Sequence, residues 1–261
     1  MATSRTTPTW ISRPRPNPGA TLRLFCFHYS GGSAHAFRGW PDRLPAAVEL
    51  LPAHLPGHGS RIGEAPFVRL EPLVQALADA LAPHLERPFA LLGHSMGALV
   101  AFELARELRW RRAPGPAHLF AASHPAPQTP PREPPIHGLP EAEFVRDLRR
   151  FDGTPQAALE NAELMGLLLP LLRADFAVCE TYAYAPAPPL DCPISAYGGT
   201  GDARVTRDDV RAWREQTSAA FASAMFPGGH FFLHTAEAQF LGRLAQELEG
   251  VVRAVSGRDG P

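Results

Sequence analysis

Six short runs dominated by apolar residues punctuate this chain, at 22–27 (LRLFCF), 48–54, 89–92 (FALL), 118–123 (HLFAAS), 193–197 and 219–226. Each is bounded by Gly, Pro, Ser, Asp or His, and runs of that length read as buried strands. Between them lie segments of helical period at 36–44, 70–85, 98–108, 205–216 and 236–255. Strands alternating with helices imply βαβ units, and therefore an α/β fold built on a mostly parallel, doubly wound sheet. In such sheets the chemistry sits at the carboxyl ends of the strands.

One stretch breaks the alternation. Residues 125–189 contain no strand pattern; proline-rich links at 125–135 and 186–189 enclose helical patterns at 141–150, 157–169 and 171–182. The chain therefore reads as a single domain, 1–261, with a helical lid at 125–189 inserted over the sheet edge that carries the site. Three extra packing helices are the plainer alternative.

Composition narrows the class. The 261 residues are 45% hydrophobic with a net charge of −1, enough for a sizeable core and without the charge excess of a nucleic-acid or membrane binder. All 25 basic residues are arginine. The three cysteines, Cys26, Cys179 and Cys192, are too few and too scattered for a disulfide framework or a zinc site. The polar, proline-rich start has no signal-peptide pattern, and the greasiest run, 164–172, is interrupted by Gly166 and Pro170. These features point to a cytoplasmic protein.

The candidate chemistry begins at Gly93-His94-Ser95-Met96-Gly97. A strand-like run precedes this G-x-S-x-G sequence and an Ala- and Leu-rich helix follows it, which is the setting of a nucleophile elbow in an α/β-hydrolase fold. A serine there needs a base, and the base needs an acid; in this fold they follow in the order Ser, Asp or Glu, His. His230 and His234 are the histidines late enough. His230 is favoured because it follows Gly228-Gly229 directly after a strand, whereas His234 reads as a helix-start residue. Asp202, at the end of the loop after the 193–197 strand, is the acid favoured over a bare turn residue. Asp208 and Asp209 read as a solvated helix face. The backbone N–H of Met96 is one expected oxyanion donor; the other is expected from Ser30, with Tyr29 close behind. His28 and Tyr29 are candidate substrate-pocket walls. His94 is expected to pack or hydrogen-bond beneath the serine. His54 and His58 lack a clustered carboxylate, so no metal site is expected.

Taken together, these pieces resemble the type II thioesterases, the discrete editing hydrolases of polyketide synthases and nonribosomal peptide synthetases. The resemblance rests on 24–27 with Gly31-Gly32-Ser33-Ala34, Leu55-Pro56-Gly57-His58-Gly59 with Arg61, and the elbow through Ala98. It extends to Leu171-Leu172-Arg173-Ala174-Asp175-Phe176, Cys192-Pro193-Ile194 with Gly199 and Asp202, and Gly228-Gly229-His230-Phe231-Phe232. The family often has Pro-His-Ala before the first Gly-Gly, where this chain has His28-Tyr29-Ser30. The resemblance implies hydrolysis of acyl groups from the phosphopantetheine arm of acyl or peptidyl carrier proteins, without metal or organic cofactor. No carrier attachment motif is visible, so the carrier is expected in trans. Carriers are typically acidic, and two arginine clusters could receive one: Arg106, Arg109, Arg111 and Arg112, or Arg146, Arg149 and Arg150. Either could equally be a solvated face. A small-ester hydrolase or lipase, a catalytically silent binding fold, and an acyltransferase or cyclase remain as rivals.

Overall fold

The computed structural model describes residues 9–151 and 161–257. Its centre is a six-stranded, wholly parallel sheet in the order β2-β1-β3-β4-β5-β6. The strands are β1 (Leu22–Phe27), β2 (Val48–Pro52), β3 (Phe89–His94), β4 (His118–Ala122), β5 (Ile194–Gly199) and β6 (Phe221–Phe226). Each expected strand is present, with ends shifted by one or two residues. The register brings the carboxyl ends of the central strands level: Phe27 stands beside Gly93, and His94 beside Ala122.

Alternation along the strands separates two cores. Phe25, Phe27, Leu91, Leu119, Ile194 and Ala196 point to one face, against α1 (Leu70–Leu81) and α2 (Met96–Trp110). Leu24, Cys26, Leu92, Phe120 and Tyr197 point to the other. That second face is closed by the carboxyl-terminal helix Glu237–Ser256, whose Phe240, Leu241, Leu244 and Leu248 repeat at helical spacing and are almost wholly buried. Strands covered on both faces account for sequence runs without clear alternation of polar residues. Phe240 is the hub of this layer: its ring lies 5.5–5.7 Å from those of Trp40, Tyr197, Phe226 and Phe232.

Residues 125–189 carry helix α3 (Glu141–Leu148) and helix α4 (Ala162–Glu180). The expected pattern at 157–169 lies partly outside the described residues, at 157–160. Beyond that, the expected break at Pro170 does not occur, and α4 runs straight through the proline. A mid-helix proline costs about 3 kcal/mol in an isolated helix. Here burial offsets it, because Leu169, Leu171, Leu172, Ala174, Ala177 and Val178 are all buried. Arg173 donates to the His137 carbonyl, and the Glu180 carboxylate accepts the Ile136 and His137 amides, tying α4 to the link before α3.

Other differences are local. The expected helix at 36–44 is two separate 3-10 turns, Ala34–Phe37 and Trp40–Asp42. The 205–216 helix is a short α5 (Arg207–Arg211) continued as 3-10. Asp208 is exposed as expected, but Asp209 is not part of a solvated face. Buried, it completes a capping box with Thr206 and accepts from the two terminal guanidinium nitrogens of Arg132, at 2.6 and 2.7 Å. A short α6 (Phe232–Thr235) precedes the last helix, α7 (Glu237–Ser256).

If the aromatic hub holds α7 to the sheet, Phe240→Ala lowers the unfolding free energy by about 3–5 kcal/mol in urea denaturation. A loss under about 1 kcal/mol would show that the ring cluster does not carry this layer.

Candidate active site

Ser95 stands between β3 and α2 with φ 54° and ψ −121°, a conformation a serine adopts only under constraint. The neighbouring glycines supply the constraint. A β-carbon at Gly93 would lie 1.9 Å from the Gly97 carbonyl oxygen, and one at Gly97 would lie 2.1 Å from the Phe27 carbonyl oxygen. The turn is pressed against the end of β1, with no room for a side chain on either glycine. The Ser95 amide donates to the Ala122 carbonyl, 2.8 Å, which fastens the turn to β4 as well. Ser95 thus occupies the start of α2, where free amides and the helix dipole favour negative charge.

Asp202 and His230 reach this serine from the turns after β5 and β6. The two turns are laced together: Thr200 and Gly201 donate to the carbonyls of Phe226 and Gly228. The Ser95 hydroxyl is 2.9 Å from His230 Nε2, and His230 Nδ1 is 2.8 Å from Asp202 Oδ2. A hydroxyl donating to Nε2 and an N–H donating from Nδ1 is the tautomer this chain of bonds selects. The other Asp202 oxygen, Oδ1, accepts the amides of Arg204 and Val205, so the residue is a turn-former and the histidine's partner at once. Burial works to raise the Asp202 carboxyl; the His230 hydrogen bond, its charge and the two amides outweigh that, and the carboxyl lies below its usual value. His234 sits on α6 with its Nε2 3.0 Å from the Tyr29 hydroxyl, and so is occupied elsewhere.

Two groups hold the His230 backbone. Its carbonyl accepts from His94 Nε2, 2.8 Å, and from the Ser123 hydroxyl, 2.7 Å. His94 therefore lies beneath the site as expected. It is fully buried, and burial followed by the nearby His230 charge holds its pKa well below the usual value, so it serves as a neutral donor. Ser123, with φ 50°, directly follows β4, and its role carried no signal in the sequence.

The loop after β1 supplies the remaining amides. Gly31 donates to Asp175 Oδ2 at 2.7 Å and Gly32 to the Tyr29 carbonyl at 2.9 Å. Both are thus engaged, and among the described residues the amides of Ser30, Tyr29 and Met96 donate to no protein acceptor. His28 departs from the pocket-wall expectation. Its side chain is wholly buried under the loop, with Nδ1 donating to the Tyr29 carbonyl, 2.9 Å, and its ring 4.6 Å from that of His58. Burial and the charge of His58 lower it to about 3. Tyr29 is half-buried against His94, Phe231 and His234, and is the better wall candidate.

A buried carboxylate stands behind this loop. Asp175 on α4 accepts from His58 Nε2 at 2.9 Å, and His58 Nδ1 donates to the Pro56 carbonyl at 2.9 Å. Since both partners can only accept, both ring nitrogens carry protons and His58 is an imidazolium. Its pKa is raised: burial acts to lower it, and the Asp175 hydrogen bond and charge prevail. Of the motif pieces in the sequence, Asp175 and His58 had been quoted without a role, or weighed only as a metal ligand. Among the described residues no His, Cys, Asp or Glu cluster of three or more is suited to a metal ion.

A second grouping of the same residue types lies elsewhere. Ser195 on β5 donates to Glu247 and is 2.9 Å from His118 Nε2. It sits near the amino ends of the strands, 1% exposed, with the hydroxyl between base and acid and its proton given to Glu247. Burial lowers His118 to about 4. This set packs α7 onto the sheet and is not a proton relay. A groove of about 500 Å³ is lined by Val74, Glu103, Arg106, Trp110 and Tyr182. Trp110 is fifteen residues past Ser95, roughly 22 Å along α2, so this groove is separate from the serine. The nearby arginines are engaged in the protein's own structure. Arg106 pairs with Glu103 and the Ala185 carbonyl, Arg109 with two proline carbonyls, and Arg111 with Glu107. Arg146, Arg149 and Arg150, at the end of α3, are exposed.

A thioesterase-domain family model matches residues 22–249. The chain is 42% identical over 243 residues to the gramicidin S biosynthesis protein GrsT of Aneurinibacillus migulanus, covering 93% of this chain and 95% of that one. Among solved structures, it is similar to RedJ, a thioesterase from the prodiginine pathway in Streptomyces coelicolor. The identity is 40% and the TM-score 0.83, over 94% of this chain and 96% of that one. BorB, the type II thioesterase of the borrelidin cluster, gives 35% identity and a TM-score of 0.83, covering 94% of this chain and all of that one. No described helix is long and apolar enough to cross a membrane.

The raised pKa of His58 carries a stability consequence of definite sign. The pair's contribution is complete below the unfolded value of about 6.5 and is lost as pH rises through the higher folded value. The urea midpoint of wild type should therefore exceed that of His58→Gln by more at pH 6 than at pH 9. An equal gap at both would mean that His58 is not charged in the fold.

Proposed function

Because the chain belongs to the thioesterase family, we propose that it hydrolyses acyl thioesters carried on the phosphopantetheine arm of acyl or peptidyl carrier proteins, clearing aberrant or stalled units in a polyketide or nonribosomal peptide pathway. The observation that carries this reading is the unbroken hydrogen-bond chain from Ser95 through His230 to Asp202, in a chain similar over nearly its whole length to enzymes of such pathways. Ser95 is the nucleophile, His230 the base and Asp202 the group that orients and stabilises the imidazolium. As Ser95 Oγ attacks the thioester carbon, its proton passes to His230 Nε2. The developing oxyanion is received by the amides of Met96 and Ser30. As the tetrahedral adduct collapses the C–S bond breaks, and the departing pantetheine sulfur, whose thiol has a pKa near 8.5, takes up the proton held on His230 Nε2, returning the imidazole to its neutral form. His230 then deprotonates a water molecule that releases the acid and restores Ser95. The sequence of steps calls on no metal or organic cofactor.

Residues 125–189 act in this reading as a lid shaping the acyl pocket, which the seating of α4 on the loops after β1 and β2 supports. The reading also places the protein in the cytoplasm, meeting its carrier in trans. Of the two arginine clusters, the one at the end of α3 is the better docking surface for an acidic carrier: Arg146 and Arg150 make exposed ion pairs, with Asp147 and Glu133, whereas Arg106 and Arg109 are also spent on backbone carbonyls.

Two outcomes follow. Wild type cleaves an acyl-phosphopantetheinyl carrier in preference to the same acyl group on a simple ester. Ser95→Ala removes that activity, and Asp202→Asn lowers kcat by about 10³–10⁴. Preference for the free ester would make the protein a general esterase; no Ser95-dependent turnover of either substrate would make it a binding protein. Separately, Arg149→Ala raises KM for the carrier substrate several-fold at low salt and leaves a small pantetheine thioester unaffected; an unchanged KM for the carrier removes this surface from consideration.

A further inference from the structure

Three buried groups around the loop after β1 take no part in the proton relay: His28, His58 and Asp175. The hydrogen bonds of His28 and Asp175 converge on the two peptide units that flank Ser30, and His58 holds Asp175 from behind. The unit carrying the Ser30 N–H has the Tyr29 carbonyl at its other end, and that oxygen accepts from His28 Nδ1 and from the Gly32 amide, each at 2.9 Å. In a trans peptide the carbonyl and the N–H point in opposite directions, so holding one aims the other. The next unit carries the Gly31 N–H, which Asp175 holds at 2.7 Å. Gly31 has φ +73°, so this is a loop bent into a conformation that has to be maintained.

The carboxylate comes from α4, on a stripe of that helix that covers the loop. Leu172, Asp175 and Cys179 are spaced three and four residues apart and so share a face. A β-carbon at Gly31 would lie 2.7 Å from Leu172 Cδ2, and the Cys179 side chain lies beside that of Ser30. Asp175 is 2% exposed, and a carboxylate so placed needs a counter-charge; His58, itself 2% exposed and protonated at both nitrogens, supplies it. His28, its ring tilted against that of His58, stays neutral and remains a single-proton donor to the Tyr29 carbonyl.

We propose that Asp175, held by His58, is a positioning residue for the oxyanion hole: it joins the lid helix to the loop after β1, and the Ser30 amide is aimed at the reacting carbonyl only when α4 is seated. This rests on the reading of Ser95 and Ser30 given above. Catalysis thereby becomes conditional on the lid through a hydrogen bond rather than through shape alone. A carboxylate that merely clipped two elements together would affect folding and leave the chemistry of the folded molecules unchanged.

The test compares wild type with Asp175→Asn, His58→Ala and His58→Gln. It reads kcat and KM on an acyl-pantetheine thioester and the inhibition constant of an alkyl boronic acid. The boronic acid forms a tetrahedral adduct on Ser95 that places an oxygen in the oxyanion hole without needing turnover. Asp175→Asn should lower kcat about 10- to 100-fold, somewhat less than outright loss of an oxyanion donor, with KM within about twofold of wild type. Boronic acid affinity should fall in parallel with kcat/KM. His58→Gln, which can still offer an N–H to Asp175, should regain much of what His58→Ala loses. The proposal is overturned if Asp175→Asn keeps wild-type kcat, or if losses in all variants follow the folded fraction while boronic acid affinity per folded molecule is unchanged. Wild type that binds the boronic acid through Ser95 yet hydrolyses no thioester would overturn the thioester reading alone, because the affinities still report on Asp175. Wild type that does not bind it would overturn both.

Discussion

The site depends on one steric constraint, the crowding of Gly93 and Gly97 against each other and against the end of β1. With no volume for a side chain at either position, the chain turns abruptly between β3 and α2 and carries Ser95 into positive φ. The turn is held from both sides, by the Phe27 carbonyl region and by the Ser95 amide bond to Ala122. The strain in a single residue is thus distributed over three parallel strands whose register is set by two buried cores. This is why Ser95 cannot be separated from the sheet: a small rearrangement of β1, β3 or β4 would relax its conformation.

Around this serine the protein controls charge by burial. His28 and His94 lie in desolvated surroundings that depress their pKa values, to about 3 for His28. They act as neutral donors and spacers. His58 alone among these buried rings is paired with a carboxylate and carries charge. The distinction follows from partners rather than from depth, since an imidazole facing only carbonyls needs one proton and one bridging a carbonyl to a carboxylate needs two. Asp202 obeys the same rule: its two oxygens are divided between amides of its own turn and His230, and both tasks favour the ionised form.

Much of this could be read in the chain. Buried strands, the elbow, and the fold's fixed order of nucleophile, acid and base were enough to single out Ser95, Asp202 and His230, because each is tied to a strand end that local pattern reveals. The helix running through Pro170 was not legible, since tertiary burial of α4 overrode the local penalty of the proline. Asp209 was misjudged for a related reason: its capping role is local, but the Arg132 partner that buries it lies 77 residues away. His28 was taken for a pocket wall because its neighbours suggested the site, whereas alternation beyond β1 turns it inward. Ser123 and the pairing of Asp175 with His58 arise from contacts between distant segments, which neither spacing nor periodicity encodes.

The Ser195, His118 and Glu247 set shows why residue types alone do not define a relay. Both groupings contain a serine, an imidazole and a carboxylate within hydrogen-bond distance. In one, the serine is terminal, its proton directed at a nitrogen whose far side is held by Asp202, so that removing the proton creates a nucleophile and a stabilised cation together. In the other, the serine is central and its proton already belongs to Glu247. His118 lies at the other end, stacked on Phe120 at 4.2 Å. A proton drawn from that hydroxyl would move toward a carboxylate and leave a buried alkoxide with no carbonyl in reach. The order of donors along the hydrogen-bond chain, and its location at the carboxyl rather than the amino ends of the strands, separate an arrangement able to relay a proton to an incoming carbonyl from a structural one.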